Sequence, residues 1–208
     1  MAVNSKTDIC NLASDLLSAS IVSDIDNPSD ANEAIFERWY DQSRKKALRE
    51  HPWNFAAKRL IIAASSTAPA FGYTVAFPMP NDFIRLLTIE SDDGVQILTD
   101  SYQFESGNVL LSSDATSLRL RYIYDIEDVS KFDAMFVDYL ALTLALSVAY
   151  KITQSGGVVE RINQLLQQHG AMAKAVSGME RVPTRIQRSR TRAARMGNGI
   201  NVSHRIIF

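Results

Sequence analysis

Five carboxylates, Glu90, Asp92, Asp93, Asp100 and Glu105, crowd into one short stretch in the middle of this 208-residue chain. A pair of carboxylates held about 5–9 Å apart can hydrolyse a glycosidic bond, one acting as acid and the other as base or nucleophile. Gly, Asn and Ser punctuate the same stretch, and acidic side chains at such turn tips are ordinarily solvated. Asp92, Asp93 and Glu105 are the residues on which a carbohydrate-cleaving enzyme would have to rest. Cys10, the one cysteine, stands beside Ile9 on an apolar helix face, with no histidine or cation nearby to stabilise a thiolate. His51, His169 and His204 are far apart in sequence, which argues against a histidine-based metal cluster. The chain has no G-x-x-x-x-G-K-S/T loop, no G-x-G-x-x-G after a strand, no H-E-x-x-H and no G-x-S-x-G. The expectation is a protein with no cofactor, no metal and no catalytic role.

Arginines offer a different chemistry. Arg181, Arg185, Arg188, Arg190, Arg192, Arg195 and Arg205 fall in the last 28 residues, which contain no lysine and no carboxylate side chain. These seven leave 15 basic against 23 acidic residues in the body, a charge of −8 behind an overall −1. An arginine-only arm on an acidic body seeks an acidic surface, because guanidinium forks pair bidentately with carboxylates and phosphates. Its arginine spacing is irregular and it has no folded reader element, so sequence-specific DNA readout is not expected, whereas non-specific phosphate contact is compatible with it. Its final residues, Arg205, Ile206, Ile207 and Phe208, suit strand addition to a neighbour's sheet edge.

Hydrophobic and charged contents of 46% and 22% are those of a globular chain. The longest uncharged apolar run, Tyr139 to Tyr150, is short for a bilayer span and reads as a buried helix, with no membrane partner. No secretory signal is visible.

The elements that must position these residues follow from periodicity. Ile9, Leu12, Ala13, Leu16 and Leu17 predict a helix over 7–19 with Thr7 as N-cap. Asp30 with Glu33 has the capping-box spacing and starts a second helix running to His51, with Ala34, Ile35, Arg38, Trp39, Ser43, Ala47 and Leu48 along one side. Arg44, Lys45, Lys46 and Arg49 near its end oppose the helix dipole, and Pro52 stops it. From 54 to 128 the pattern turns to strands: Val75–Phe77, Phe83–Ile89, Val95–Leu98, Tyr102–Phe104, Val109–Leu111 and Leu118–Tyr124, as in a meander of hairpins. In the last of these, Leu118, Leu120, Tyr122 and Tyr124 share one face while Arg119 and Arg121 take the other. A third helix is expected from Lys131 to about Gln154, ended by Gly156-Gly157, and a fourth from Val158 to Val176. The third is apolar all round, which calls for partners on every side; Leu140, Leu142, Leu144 and Leu146 are therefore expected to face another subunit. The resulting fold class is α+β: a four-helix bundle-like domain made of two sequence-separated helix pairs (1–53 and 129–178), an inserted antiparallel β-domain (54–128) and an extended C-terminal arm (179–208).

Between helix and strands lies the densest aromatic stretch, His51 to Leu87. It reads as a hinge in which Trp53, Phe55 and their neighbours are core, while Lys58 and Arg59 alternate across a strand. Trp53-Asn54-Phe55-Ala56, Lys58-Arg59, Pro69-Ala70-Phe71-Gly72-Tyr73 and Met79-Pro80-Asn81-Asp82-Phe83-Ile84-Arg85 match in order and spacing the W-N-F-A-x-K-R, P-A-F/W-G-Y and L/M-P-x-D-x-L/I-R blocks of a known family. By these blocks the chain resembles the head–tail adaptors of short-tailed bacteriophages, the tail tubular protein A-like family. The match is good over 51–85 and weak beyond about 125. The resemblance implies a virion protein of the phage tail and neck, assembled in the host cytoplasm. It implies a ring, a dodecamer in that family, that joins portal protein to tail nozzle protein, neighbours the tail fibres and encloses passing double-stranded DNA without reading its sequence. It also implies that Trp53, Asn54, Phe55, Lys58, Arg59, Pro69, Phe71, Gly72, Tyr73, Pro80, Asp82 and Arg85 build core and hinge, and that the C-terminal arm reaches the portal. The alternative in the same setting is a tail-associated enzyme that cleaves carbohydrate or cell wall with the central carboxylates.

Overall fold

A computed structural model describes residues 3–91, 94–97 and 101–179 of the chain. The arm from Arg181 to Phe208, with all seven of its arginines, lies outside the described residues, as do Asp92, Asp93 and Asp100. The described residues form a mixed α+β fold of four helices and two small antiparallel sheets.

Helix α1 (Lys6–Leu17) is capped by Ser5, not by Thr7 as expected: Ser5 Oγ accepts from the Asp8 N–H and the Asp8 carboxylate accepts from the Ser5 N–H, closing a capping box. Helix α2 (Ala31–Glu50) starts at Asp30, whose carboxylate accepts from Asn32 N and Glu33 N. Glu33 does not complete the expected box. It is buried and accepts four hydrogen bonds from the backbone and hydroxyls of Ser23 and Ser29, pinning the α1–α2 loop. The buried stripe of α2 is Glu33, Phe36, Tyr40, Ser43, Arg44, Ala47 and Leu48, one position out of phase with the expected side over the first turns.

A 3-10 turn (Val129–Lys131) precedes helix α3 (Ala134–Thr153), which is capped by Asp133. Gln154, in the left-handed region at φ 52°, ends α3, and the Gly156-Gly157 pair opens helix α4 (Gly156–Met179) rather than closing its predecessor. By length and composition α3 could cross a membrane. Here α1, α2 and α4 pack around it. Leu140, Leu142 and Leu144 are buried within the chain and Leu146 packs half-buried on the same core. The all-round apolar pattern is thus met by three helices of one molecule and supplies no reason for a subunit contact at these leucines.

The strands are β1 (Ala57–Ala63), β2 (Val75–Pro78), β3 (Phe83–Glu90), β4 (Tyr102–Glu105), β5 (Asn108–Leu111) and β6 (Ser117–Tyr124). They do not form the expected meander. One sheet has the order β1-β6-β3 and the other β2-β5-β4, and among the described strands only β4–β5 is a tight hairpin. Its turn, Ser106-Gly107, has φ of 48° and 74° at its two central positions, the primed geometry that matches strand twist and that glycine relieves of strain. Of the expected Val95–Leu98 strand, the described residues 95–97 contribute an isolated bridge, Gln96 to Glu90, and Leu98 lies outside the described residues. The first sheet is organised by β6, where Leu118, Leu120 and Tyr122 are buried and Arg119 is exposed, as the alternation predicts. Two apolar clusters result. One fills the space between the helices and takes in Trp53, Ala56, Ile123 and Ile126; the other lies between the sheets around Phe77, Ile89, Val109 and Leu120.

Candidate functional site: the helix-to-sheet junction and an arginine face

Trp53, Asn54, Phe55 and Arg85, four of the residues singled out by the sequence blocks, meet where α2 hands the chain to β1. Pro52 ends the helix, and Trp53 then folds back: its indole N–H donates to the Ala47 carbonyl at 2.9 Å, satisfying one of the helix's terminal acceptors. The ring is 1% exposed and meets His51, Phe55, Phe136 and Tyr139. Phe55 packs on Phe132 and Phe136. Asn54 Nδ2 donates to the Ser177 carbonyl of α4 at 2.8 Å. Trp53 is thus buried in the helical cluster and Phe55 packs half-buried against it.

Two arginines exchange carbonyls across the junction. Arg49, in the last turn of α2, donates to the Ile84 carbonyl of β3 at 2.6 Å, and Arg85 donates back to the Arg49 and Glu50 carbonyls at 3.1 and 3.3 Å. Cationic donors at a helix C-terminus satisfy open carbonyls and oppose the dipole. Glu50 completes the knot by accepting from the Tyr139 hydroxyl of α3 and pairing with Lys174 of α4. Desolvation, then the Glu50 hydrogen bond, raises Tyr139 above its ordinary value. One turn of α2 is therefore fastened to the sheet and to both later helices.

On the inner face of the first sheet, Lys58 pairs with Asp82 at 2.7 Å, and the Tyr122 hydroxyl donates to the other Asp82 oxygen at 2.8 Å. Burial works against the Asp82 charge, yet the hydrogen bonds from Lys58 and Tyr122 outweigh it and hold the carboxyl below its ordinary value. Burial, reinforced by Asp82, pushes Tyr122 up to about 12. Pro80 belongs to the turn before β3, where its carbonyl accepts from Phe83 N at 3.0 Å.

The Pro69–Tyr73 block behaves otherwise. It lies on the β1–β2 loop beside the β4–β5 hairpin, and Phe71, expected in the core, is 88% exposed. Gly72, at φ 80°, provides the left-handed step that reverses the loop. With no cluster above it to enter, the Phe71 ring is left as surface.

Arg59 lies on the opposite face from Lys58. The β1–β6 register sets it directly across from Arg121, with Ile61 across from Arg119; β3 adds Thr88 beside Arg121 and Glu90 beside Arg119. Together they line a concavity of about 670 Å³. Sequence periodicity places Arg119 and Arg121 outward, but Arg59 joins them only through pairing with a strand some sixty residues on, which periodicity does not encode.

Of the central carboxylates, Glu90 is on β3 and Glu105 on β4 of the other sheet, so the described residues bring no two of them together. Cys10 is fully buried, and desolvation pushes its thiol up to about 12, the state of a packing thiol. His169 lines an apolar groove with Leu12, Leu16 and Leu165, flanked by Asp15 and Asp138. Among the described residues no group of three or more His, Cys, Asp or Glu is placed to hold a metal ion.

The buried Arg44 has no counterpart among the sequence expectations, which show only a cation in a basic helix end. It donates to the Asp125 carboxylate and to the Ile126 carbonyl at 2.7 Å, with Asp41 and Glu127 farther out. No protein-family model matches this chain, and no curated protein matches it either.

Proposed function

We propose that this chain is a structural head–tail adaptor of a short-tailed phage. In this reading it forms a ring between portal and tail nozzle around the DNA path, as part of the virion, and is assembled in the host cytoplasm. The observation that supports it best is that Trp53, Asn54, Lys58, Asp82 and Arg85, five of the residues that carry the sequence resemblance, make the hydrogen bonds and the ion pair at and beside the junction between helices and sheet. A connector under axial load needs such a junction, because its helical and β parts must keep a fixed relation while each meets a different neighbour. In this reading the finer architecture is a bundle of two helix pairs carrying an inserted β-domain, with residues 179–208 as an arm toward the portal. The acidic body suits a channel wall, since like charge keeps a passing duplex from sticking.

Mixing the full-length chain with the portal protein of a candidate phage and imaging by electron microscopy tests the proposal. A ring of this chain seated on the portal is expected. A chain that remains separate from every portal offered overturns it.

A further inference from the structure

The surface holds two patches that complement each other and cannot meet within one molecule. The first is the outer face of the β1-β6-β3 sheet. Arg59 and Arg121 are direct cross-strand neighbours there, an arrangement that destabilises a sheet unless opposite charge is brought to it. Neither they nor Arg119 has an ion-pair or hydrogen-bond partner among the described residues. Between them Ile61 is 66% exposed. A nucleic-acid backbone would satisfy the guanidinium groups but leave Ile61 uncovered. A protein surface with carboxylates around an apolar residue serves both the guanidinium groups and Ile61.

The chain carries such a surface. In the α1–α2 loop Ile21 is 76% exposed, and Asp24, Asp26 and Asp30 are exposed around it. Only Lys6, 4.0 Å from Asp26, approaches these three carboxylates as a counter-ion among the described residues. The loop sits at the N-terminal end of α2, whereas the sheet is fastened to the C-terminal end through Arg49 and Arg85. Twenty helical residues separate the two ends, about 30 Å at 1.5 Å per residue.

We infer that the arginine face of one copy receives the Ile21–Asp30 loop of the next, a head-to-tail contact between copies of this chain. Ile21 covers Ile61, and the loop carboxylates pair with Arg59, Arg119 and Arg121 as guanidinium forks favour. Contacts between different patches of identical chains propagate, and they close into a ring when the rotation per copy permits. This contact rests on the ring reading for its biological setting, but its physical basis is independent of any portal. It also replaces α3, whose faces are already covered, as the source of self-association.

Sedimentation velocity on the full chain at low and high salt tests it, with two charge-reversed variants whose folding is checked by thermal melting. Wild type is expected to self-associate at low salt and to dissociate as salt rises. Arg59→Glu with Arg119→Glu, and separately Asp24→Lys with Asp26→Lys, should each weaken association by more than about tenfold. Asp26→Lys alone serves if the double loop variant fails to fold. Mixing the two variants should restore association, since each supplies the face the other lacks. Wild type that stays monomeric at low salt, or variants that associate as wild type does, overturn the contact. So does binding of a random-sequence DNA duplex that depends on Arg59 and Arg119 in a chain that does not self-associate. Rings on a portal that are indifferent to both variants would remove this contact and leave the adaptor reading standing. Charge-swapped association without portal binding would do the reverse.

Discussion

Replacing Arg44 with methionine isolates the buried link between the middle of α2 and the segment leaving β6. The Arg44 side chain is 1% exposed, so methionine keeps most of the apolar stem's packing while removing the guanidinium. Asp41 and Glu127 are 66% and 70% exposed, and their loss should contribute about 0–1 kcal/mol together. The greater losses fall inside the protein. The Ile126 carbonyl loses its buried donor, which costs roughly 1–3 kcal/mol. Asp125 loses its closest partner but keeps Lys45 at 3.3 Å and is 17% exposed, so it falls short of the roughly 3–5 kcal/mol for stranding a fully buried charge. The expected loss is about 3 kcal/mol. Urea unfolding at neutral pH measures it, the midpoint falling with the slope unchanged. Asp125→Asn should cost less alone, and the double variant less than the sum, because the two share one interaction. A loss below about 1 kcal/mol for Arg44→Met, or strict additivity, would refute the assignment of Arg44 as the tie between these segments.

Gly170→Ala should destabilise the chain despite the gain in helix propensity of about 1 kcal/mol, because a Cβ there would lie 2.8 Å from Tyr139 Cε2. A net loss of roughly 1–2 kcal/mol in the same urea assay is expected, and a gain would mean that the α3–α4 approach is looser than described. Glu33 is held down to about 2 by hydrogen bonds from Ser23, through hydroxyl and backbone, and from Ser29. A depressed carboxylate stabilises the fold above its ordinary value near 4.5 and loses that contribution as pH falls toward 2. Glu33→Gln should therefore lower the melting temperature at pH 7 and flatten its fall between those values, whereas a parallel acid limb would contradict the assignment. Asp82→Asn should lower the melting temperature by removing the anion shared by Lys58 and Tyr122, and it should shift Tyr122 back toward ordinary phenol titration, as followed by ultraviolet absorbance.

Local signals carry much of this fold. Asp30 caps its helix as expected, its short acidic side chain accepting from the first free N–H groups, whereas the third helix starts at Ala134 after an Asp133 cap, three residues later than the expected Lys131. The alternation of β6 announces the burial of Leu118, Leu120 and Tyr122, but not that of Ile123, which lies on the opposite face and is covered by the helical cluster. Non-local pairing is where sequence reading stops. The strand order β1-β6-β3 depends on pairings across some sixty residues, and a run of short strands with polar turns reads equally well as consecutive hairpins. Arg44 looks like any helix-end cation because Asp125, its counter-ion, comes from 81 residues further along. The apolar pattern of α3 rightly demands cover on all sides, but periodicity cannot say whose helices supply it; α1, α2 and α4 of the same chain do. Phe71 shows the converse, an aromatic expected in the core that the loop leaves on the surface. At the arginine face two of three guanidinium groups can be placed outward from sequence, and the third requires the sheet.

The adaptor reading is tested most directly by the mass of the complex that forms when the full chain meets a portal ring. Native mass spectrometry should show the portal gaining a closed set of 23.1 kDa subunits, twelve if the ring follows the family it resembles, with partial sets rare. A portal whose mass is unchanged, or that gains only scattered single copies, would contradict it.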